Sequence, residues 1–510
     1  MAYITPSTMI DLMKVAMDPT YTHVRYFASD SDKDTFFDSK VFRSLTANTY
    51  QNYTKGTIRI AVTPASVLGC NYIRFRNTGY ENKNYYAFVE SITDISNECV
   101  EITYRIDVFM TYWMDYNTPT CFVERSHTRT DVVGDNLETE PIQAELKTWQ
   151  GVHTEYYTLN DVVMVTTPSQ WASQTIRLIN GQLMVVNIDL FDLTNQSSAD
   201  LFVALIQNMA QAGELDRIIS LKQLPSWAYS TTDPTTNYLP TRTGTITWNR
   251  SAFISANGAA SYTPRNKKLY TSQFSKLRVR TSDNETIDLK PECFSNSGQN
   301  VSMEYTETCN TVGEPSVMVK FTNYSDSTKE NRVYISNFPD IMLTKDAWSE
   351  YLNRSGASVG LGLISAAVSA LGSKSGATDM LQTGGNLITT MADTKRRPAS
   401  TIGTPNPSMP LALGEFGWAV YRFQVSAEEA QNIDEYFDMY GYAVNAFGLP
   451  TRKIRDKYTY IKTKDLRVNG EIPVDAVEAI SNAYNNGVTF WADNSNFMNY
   501  ALAVRQANVA

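Results

Sequence analysis

The chain has 510 residues, too many for one ordinary hydrophobic core, and this length predicts two to four domains. Its 42% apolar and 19% charged residues exclude an intrinsically disordered chain. The net charge of −9 argues against a protein that binds nucleic acid through a basic stripe.

Composition also predicts the fold class. Thirty tyrosines occur among many threonines and asparagines, which favours strands with polar surfaces, so we expect a mainly β protein. The first residues, MAYITPSTMIDLMKV, lack the basic and apolar regions of a signal peptide. Five scattered cysteines without CxxC spacing predict reduced thiols and assembly in a cytoplasm. They are Cys70, Cys99, Cys121, Cys293 and Cys309.

The N-terminal part is predicted to be a succession of strands at 57–62, 72–77 and 84–93, separated by Gly, Asn and Pro signals. The clearest pattern lies at 99–114, where apolar and polar residues alternate with a period of two. Such a strand has one apolar and one charged face. It suits the wall of an open barrel or tube, and it equally suits a sandwich.

Residues 131–345 show a mixed pattern that predicts one or two separate domains. A helix is expected at 198–211 with Ser198 as its N-cap, and polar strands are expected at 317–336. The polar segment 345–354 predicts a helix that leads into the next stretch.

The most unusual stretch is 355–373, SGASVGLGLISAAVSALGS, which has nineteen residues and no charge. Six are Val, Leu or Ile, four are Ala and nine are Gly or Ser. The stretch is about as long as a membrane span, but its glycines and serines make insertion of a single copy marginal. The residues alone leave three interpretations open: a buried core helix, a flexible linker or a membrane-active segment.

Catalytic chemistry has little support in the sequence. Residues 356–360 spell G-x-S-x-G around Ser358, but a hydrolase elbow needs a later histidine. His23, His127 and His153 all precede that serine, and none are at metal-ligand spacing. A pair of carboxylates of the glycosidase type has no local signature and stays open. We predict no enzyme, no metal and no cofactor.

After a Pro-rich connector at 395–410, the pattern changes to α+β, with strands expected at 418–423, 457–468 and 488–491.

Two helices are predicted among these C-terminal strands. One begins after a capping box of Ser426 and Glu429 and ends at Gly441. The other begins at Pro473 and ends before Gly487.

Several strings, in this order along the chain, resemble the tail knob (distal tail tube) proteins of small short-tailed phages with protein-primed DNA replication, the Picovirinae. The strings are NYIRFRNTGYENKNYYAFVESI, EITYRIDVFMTYWM, CFVERSH (121–127), PRNKKLYTSQFSKLRV (264–279), YFDMYGYAVN (436–445), KYTYIKTKD (457–465), NGEIP and YNNGVTFW. The resemblance is close over about 1–130 and 400–510 and loose over 131–345.

The resemblance implies a β-barrel-like tube built from the N- and C-terminal regions, an inserted knob domain and an apolar Gly-rich loop. The corresponding parts are 1–130 (N-terminal tube), 131–344 (knob), 345–400 (loop with flanks) and 401–510 (C-terminal α+β tube). Six copies would form a conduit at the virion tail tip. Their loops would plug it before ejection and then form a channel for DNA in the host cytoplasmic membrane.

The implied partners are other copies of the chain in a homohexamer, an upper tail tube or collar protein, host membrane lipid, and viral DNA passing without specific binding. The segment carried over from the family is 355–373, continued to about residue 391. Its predicted membrane-interacting or plug residues are Val359, Leu361, Leu363, Ile364, Val368, Leu371, Leu387 and Ile388. Its glycines, expected to ease a change of conformation, are Gly356, Gly360, Gly362 and Gly372.

Two other hypotheses compete with this one. A tail protein could bind a receptor or cell-wall glycan through 131–345 and have no membrane activity. A cell-wall hydrolase is the third, and no residue pattern predicts it.

Overall fold

The computed structural model describes most of the chain outside one long central segment. The described residues are 8–47, 56–78, 82–157, 162–168, 175–179, 182–192, 195–211, 220–225, 227, 240–282, 284–295, 298–310, 316–327, 331–335 and 417–501. The predicted helix at 345–354 and the connector at 395–410 lie outside them.

Strands dominate the described residues. In chain order they are β1 (Thr8–Met13), β2 (His23–Arg25), β3 (Val41–Ala47), β4 (Thr57–Ile60), β5 (Tyr72–Asn77), β6 (Tyr85–Ser96), β7 (Cys99–Ile106), β8 (Tyr116–Asn117), β9 (Cys121–Ser126), β10 (Thr148–Tyr156), β11 (Val162–Pro168), β12 (Thr175–Ile179), β13 (Gln182–Asp192), β14 (Ser220–Leu224), β15 (Thr241–Asn249), β16 (Phe253–Ile254), β17 (Ser261–Tyr262), β18 (Ser275–Thr281), β19 (Thr286–Leu289), β20 (Asn300–Asn310), β21 (Ser316–Phe321), β22 (Arg332–Ile335), β23 (Gly417–Gln424), β24 (Tyr442–Gly448), β25 (Tyr458–Lys464), β26 (Asn469–Gly470) and β27 (Val488–Trp491).

The α-helices of the same residues are α1 (Asp30–Asp38), α2 (Val108–Thr111), α3 (Gln196–Gln211), α4 (Ala427–Tyr440) and α5 (Val474–Asn486). Short 3-10 turns occur at Pro64–Val67, Lys267–Tyr270, Pro291–Cys293 and Asn494–Asn496. This composition confirms the expectation of a mainly β fold with an α+β C-terminal part.

The chain divides into two compact units, and each contains distant parts of the sequence. Unit 1 consists of residues 1–143, 262–269 and 428–510, and unit 2 consists of residues 144–261 and 270–427. The assignment of functional parts to 1–130, 131–344, 345–400 and 401–510 stays a prediction.

Unit 1 contains a six-stranded sheet in the order β3-β1-β5-β6-β7-β4 and a five-stranded sheet in the order β2-β27-β25-β9-β24. The first sheet is antiparallel throughout, and in the second only the contact of β2 with β27 is parallel. Strand β24, from the C-terminal part of the chain, lies at the edge of the second sheet and pairs with β9.

Around β1 and β5 the six-stranded sheet of unit 1 is buried on both faces, because these strands contribute to two hydrophobic clusters. On β5, Tyr72 belongs to an aromatic cluster shared with α1, α2 and α5, whereas Ile73 and Phe75 belong to a second, more aliphatic cluster. Side chains of successive strand residues point to opposite faces, so one strand can supply both clusters. The Tyr72 hydroxyl donates to the Asp107 carboxylate (2.7 Å), which satisfies a polar group inside the aromatic cluster.

Unit 2 is organised around two four-stranded antiparallel sheets, β10-β23-β18-β19 and β15-β20-β21-β22, which share one hydrophobic core. Alternation on β18 places Leu277 and Val279 in this core, and Val317 and Val319 come from β21. The arrangement is that of a β-sandwich. A third sheet, β12-β13-β11-β14, is also present in this unit.

Most predicted elements are present with small shifts in their ends. The N-terminal strands are found as β4, β5 and β6, and the C-terminal strands and helices as β23, α4, β25, α5 and β27. The strands expected at 317–336 are the pair β21 and β22.

One prediction was wrong in extent: the strand expected at 99–114 ends at Ile106. The Asp107 carboxylate accepts a hydrogen bond from the amide of Met110 (3.1 Å), and it caps the short helix α2. Val100, Ile102 and Tyr104 are buried as the alternation predicts, but the period of two stops where the cap begins.

The N-cap of the helix expected at 198–211 was also wrong. Helix α3 begins at Gln196, and the side chain of Asn195 accepts from the amide of Ser198 (3.3 Å). The Ser198 hydroxyl accepts instead from the amide of Asp192 (2.9 Å). Asn195, three residues before Ser198, is therefore in the capping position.

Gly441 ends α4 at a point where no side chain fits. Its φ is +68°, and a Cβ would lie 2.3 Å from the backbone carbonyl of Ser126 on β9. Gly258 has a similar φ of +71° but open space around it, so it is a matched control. We expect Gly258→Ala to cost about 1–2 kcal/mol of unfolding free energy from the backbone alone. Gly441→Ala should cost at least about 2 kcal/mol more, because β9 must move.

The measurement is denaturant unfolding followed by hydrogen exchange in peptides of β9 and β24, since two units need not unfold together. Equal losses of unfolding free energy for the two variants would show that the close approach of β9 to Gly441 does not affect stability.

Candidate functional site: a buried polar network

Four of the strings that carry the family resemblance meet in unit 1 around buried carboxylates. These are CFVERSH on β9, PRNKKLY at 264–270, YFDMYGYAVN at the end of α4 and KYTYIKTKD on β25. We call this set of contacts the polar network. Its carboxylates are Asp131, Glu140, Asp434 and Asp438, and each is at most 5% exposed.

Two of these carboxylates lie one turn apart on α4, because residues i and i+4 share a helix face. Asp434 accepts from the backbone amides of Arg265 and Asn266, both at 2.9 Å, and from the hydroxyl of Tyr262 at 2.7 Å. The amide side chain of Asn266 donates to Asp434 (2.8 Å) and to Asp438 (2.7 Å). The guanidinium of Arg265 pairs with Asp438.

The other two carboxylates hold the following residues of the same segment. Glu140 pairs with the guanidinium of Arg125 and the ammonium of Lys268, and it accepts from the amide of Ala443 (2.8 Å). Asp131 accepts from the amide of Lys267 (3.0 Å) and from the hydroxyl of Tyr442 (2.9 Å). Four carboxylates therefore bind the segment 262–269 to the rest of unit 1.

His127 connects the network to β25. Its Nδ1 accepts from the amide of Tyr460 (2.8 Å), and its Nε2 donates to the carbonyl oxygen of Asp438 (3.1 Å). This pair of contacts requires the neutral ring with hydrogen on Nε2. Burial, together with the nearby Arg455, holds the pKa of His127 well below its ordinary value.

The charges of the network are tuned mainly by burial. The pKa of Asp438 is raised to about 6, chiefly by burial and also by the neighbouring Asp434, while hydrogen bonds from Asn266 and Arg265 oppose the rise. Burial lowers the pKa of Lys268, and its contact with Glu140 opposes that change. The four carboxylates are buried and bonded to distant parts of the chain, so the network holds these segments of unit 1 together.

The predicted plug residues from Val359 to Ile388, the four loop glycines and Ser358 all lie outside the described residues. Within the described ranges, no helix is long and apolar enough to cross a membrane. In the same part of the chain, no group of three or more His, Cys, Asp or Glu side chains is placed to hold a metal ion. All five cysteines are free thiols, of which Cys70, Cys121 and Cys309 are buried.

The network could not be predicted from the sequence because its members are spread over about 300 residues. The motifs were visible as strings, but only the spacing of Asp434 and Asp438 on one helix face signalled a shared role.

Comparison with known families assigns the chain to the phage tail proteins. Residues 6–117 match the model described as Caudoviral major tail protein N-terminus. Residues 233–503, more than half of the chain, match the model described as Bacillus phage phi29, tail knob protein gp9, C-terminal domain. The chain therefore belongs to this family of phage tail knob proteins and is a component of the virion tail. The match starts at 233, so the similarity extends into the middle region, 131–345, where the resemblance of the strings is loose.

Individual relatives support this membership. The tail knob protein gp9 of Bacillus phage B103 is 21% identical over 92% of this chain and 94% of its own length. The tail knob protein gp9 of Bacillus phage phi29 is 28% identical over 29% of this chain, and the match spans only 26% of that relative. The solved tail knob protein gp12 of bacteriophage C1 has a TM-score of 0.56 at 13% identity, covers 96% of this chain and shares the fold.

Glu140 allows a direct test of the network. Glu140→Gln removes the carboxylate charge that pairs with the buried cations Arg125 and Lys268, and we expect a loss of about 3–5 kcal/mol in unfolding free energy. The control is Glu124→Gln, which breaks the partly exposed pair with Lys462 and should cost less than about 1 kcal/mol. Denaturant unfolding measures both losses. Similar small losses would mean that the network contributes little to the stability of unit 1.

The raised pKa of Asp438 predicts a pH dependence. Because the folded state binds this proton more tightly than the unfolded state, acidification through pH 6 stabilises the fold. Between pH 7 and pH 5 the gain is about 1 kcal/mol. We expect Asp438→Asn to lack this gain, so the difference in unfolding free energy between wild type and variant should change by that amount. The opposing effect of His127 is present in both proteins and cancels. A pH-independent difference would contradict the raised pKa.

Proposed function

We propose that six copies of this chain form a conduit at the virion tail tip. In this proposal the segment 355–391 closes the conduit before ejection and afterwards forms a channel for viral DNA in the host cytoplasmic membrane. The protein acts without catalysis. The observation that carries the proposal is an uncharged stretch of membrane-span length, 355–373, inside a member of a tail knob family.

The composition of 355–373 suits both the closed conduit and the channel inserted in the membrane. Its six Val, Leu and Ile residues contribute roughly −2 to −4 kcal/mol towards insertion on a translocon scale, which the Gly and Ser residues offset. A single copy is therefore marginal in lipid and tolerable in water. Six copies in a ring can pack closely through their small residues and share hydrogen bonds, which favours insertion of the assembly.

The position of the segment in the chain also supports the proposal. It lies between β22, which ends at Ile335, and β23, which begins at Gly417. Both strands contribute to the core of unit 2 through side chains such as Ile335 and Val420. A segment bounded by core strands can change its environment while the sandwich that carries it stays folded.

The charge of the chain is compatible with a conduit. A net −9 per copy repels DNA phosphates, and a wall without phosphate contacts lets DNA slide. The partners that this function requires are other copies of the chain, an upper tail tube or collar protein, and membrane lipid.

The test is dye release from phospholipid vesicles by the purified full-length chain. We expect the wild type to release dye and a variant lacking 355–391 to release none, with the same oligomer size by light scattering. Ile364→Asp places one charge per copy in the uncharged segment, which costs about 3 kcal/mol per copy in the membrane, so release should fall to the level of the deletion. Ser31→Asp, in the exposed first turn of α1, adds the same charge outside the segment and should release dye normally.

Equal release by the wild type and the deletion would place the membrane activity elsewhere. If the wild type forms an intact hexamer but releases no dye at any pH or lipid composition, the segment is a linker or fills the tube and has no membrane activity.

A further inference from the structure

The outward face of the sheet β10-β23-β18-β19 in unit 2 combines exposed aromatic rings with paired charges. Strand register places Trp149 opposite Phe423, and Phe423 opposite Lys276. One step along, Gly151 lies opposite Tyr421, and Tyr421 opposite Arg278. We call this surface the platform, and its residues are Trp149, Gly151, Tyr421, Phe423, Lys276, Arg278, Arg280 and Asp288.

The aromatic half of the platform is open to solvent. Trp149 is 62% exposed, although large apolar side chains are normally covered. Its ring meets that of Tyr421 edge-on, at a centroid distance of 5.8 Å and an angle of 71°. A Cβ on Gly151 would meet nothing within 4 Å, so the surface next to Tyr421 on β10 is open.

The charged half of the platform comes from strict alternation on β18. Leu277 and Val279 point into the core, and the residues between and beside them point outward. Asp288 on β19 accepts from Arg278 Nε (2.7 Å), Arg278 Nη2 (3.0 Å) and Lys276 Nζ (3.0 Å). The hydrogen bond from Arg278 is the largest of the contacts that lower the pKa of Asp288, so this carboxylate is charged at neutral pH.

The net charge of the platform differs in sign from that of the chain. The platform has three cations, Lys276, Arg278 and Arg280, and one carboxylate, whereas the whole chain has a net charge of −9. The guanidinium of Arg278 also lies 5.1 Å from the centroid of the Phe423 ring, which joins the two halves of the platform. Only some of its five N–H donors are used by Asp288, so further donors can reach a ligand.

The platform is rigid because its central strand is fixed from behind. Between Tyr421 and Phe423, Arg422 points into the sandwich and is 1% exposed. Its guanidinium donates to the carbonyl oxygens of Asn249 (2.9 Å) and Ala252 (2.7 Å) and to the hydroxyl of Ser275 (3.0 Å). A preformed aromatic surface loses little entropy when a ligand binds.

We propose that the platform binds a hydroxyl-rich, negatively charged polysaccharide of the host cell surface. Flat aromatic faces pack against the apolar faces of sugar rings, and paired Arg and Asp side chains offer donors and acceptors to hydroxyl groups. The surplus of cations selects a polymer with phosphate or carboxylate groups. Asp288 can also accept hydrogen bonds from hydroxyl groups, which are abundant in a polysaccharide and absent from the repeating unit of DNA. The assignment of the polymer to the host cell surface rests on the proposed role at the tail tip. The chemical class of the ligand is inferred from the platform residues alone.

The binding test uses full-length chain and an immobilised sugar-substituted poly(ribitol phosphate) as the probe. Neutral dextran, oligothymidine and phosphatidylglycerol vesicles are the comparison ligands. We expect binding to poly(ribitol phosphate) that weakens with salt, and weak or no binding to the other three. Trp149→Ala should lower the affinity about tenfold or more, as expected for a central aromatic contact. Arg278→Gln should lower it several-fold and reduce the salt dependence, and Arg278→Lys should restore part of both.

Matched controls exist in unit 1. Phe447→Ala removes a 79% exposed aromatic ring that packs edge-on against Phe122, and Arg59→Gln breaks an exposed strand pair with Glu101. Both should bind within twofold of the wild type. Circular dichroism and unfolding midpoints verify that every variant is folded.

Three outcomes would overturn the proposal. These are no binding of the wild type to the polymer, unchanged binding by folded Trp149→Ala and Arg278→Gln, and equal or stronger binding to oligothymidine or vesicles that is lost in the same variants. Dye release is measured separately with the same proteins. If the platform variants still release dye while binding is lost, the two functions are independent, and failure of one does not decide the other.

Discussion

The arrangement of unit 1 depends on the burial of four carboxylates around the segment 262–269. Burying a charge is unfavourable unless it is paired and hydrogen-bonded, and removing a partner from such a group is far more costly than never having buried it. Asp434 alone binds two backbone amides and a tyrosine hydroxyl of this segment. These bonds cannot all form if the segment shifts by one residue, so the network fixes the position of the segment in unit 1. In the sequence, this segment lies between the two parts of unit 2.

The same constraint explains why the recognisable strings are polar. Strings such as CFVERSH and PRNKKLY contain the groups that pair with Glu140, namely Arg125 and Lys268. Hydrophobic positions in a core accept many substitutes of similar volume, whereas a buried charge needs one partner of opposite sign at one distance. Gly441 adds a steric constraint, because α4 must end where β9 passes at contact distance.

The two units also show how far the sequence could predict the structure. Local patterns found most strands and helices, because alternation, capping and glycine signals act within a few residues. They failed at Asp107, where one side chain ended a strand that continued the period of two, and at Asn195, which caps a helix in place of Ser198. The network and the platform were not predicted, since each joins residues 100 to 300 positions apart. The basic and apolar alternation of β18 was a visible signal for the platform, but its aromatic half comes from β10 and β23.

In the two proposed functions, the platform and the apolar segment are near each other in the sequence, since β23, which carries Tyr421 and Phe423, is the first described strand after that segment. A ligand can shift a conformational equilibrium only if it binds the two states with different affinity. Because Arg422 fixes β23 to backbone carbonyls inside the sandwich, the platform has the same geometry whatever the segment does. Polysaccharide bound there would therefore hold the tail tip at the cell surface without releasing the segment. Release must then come from a contact that distinguishes the two states of the segment itself, and a lipid surface, which stabilises only the inserted state, meets that requirement.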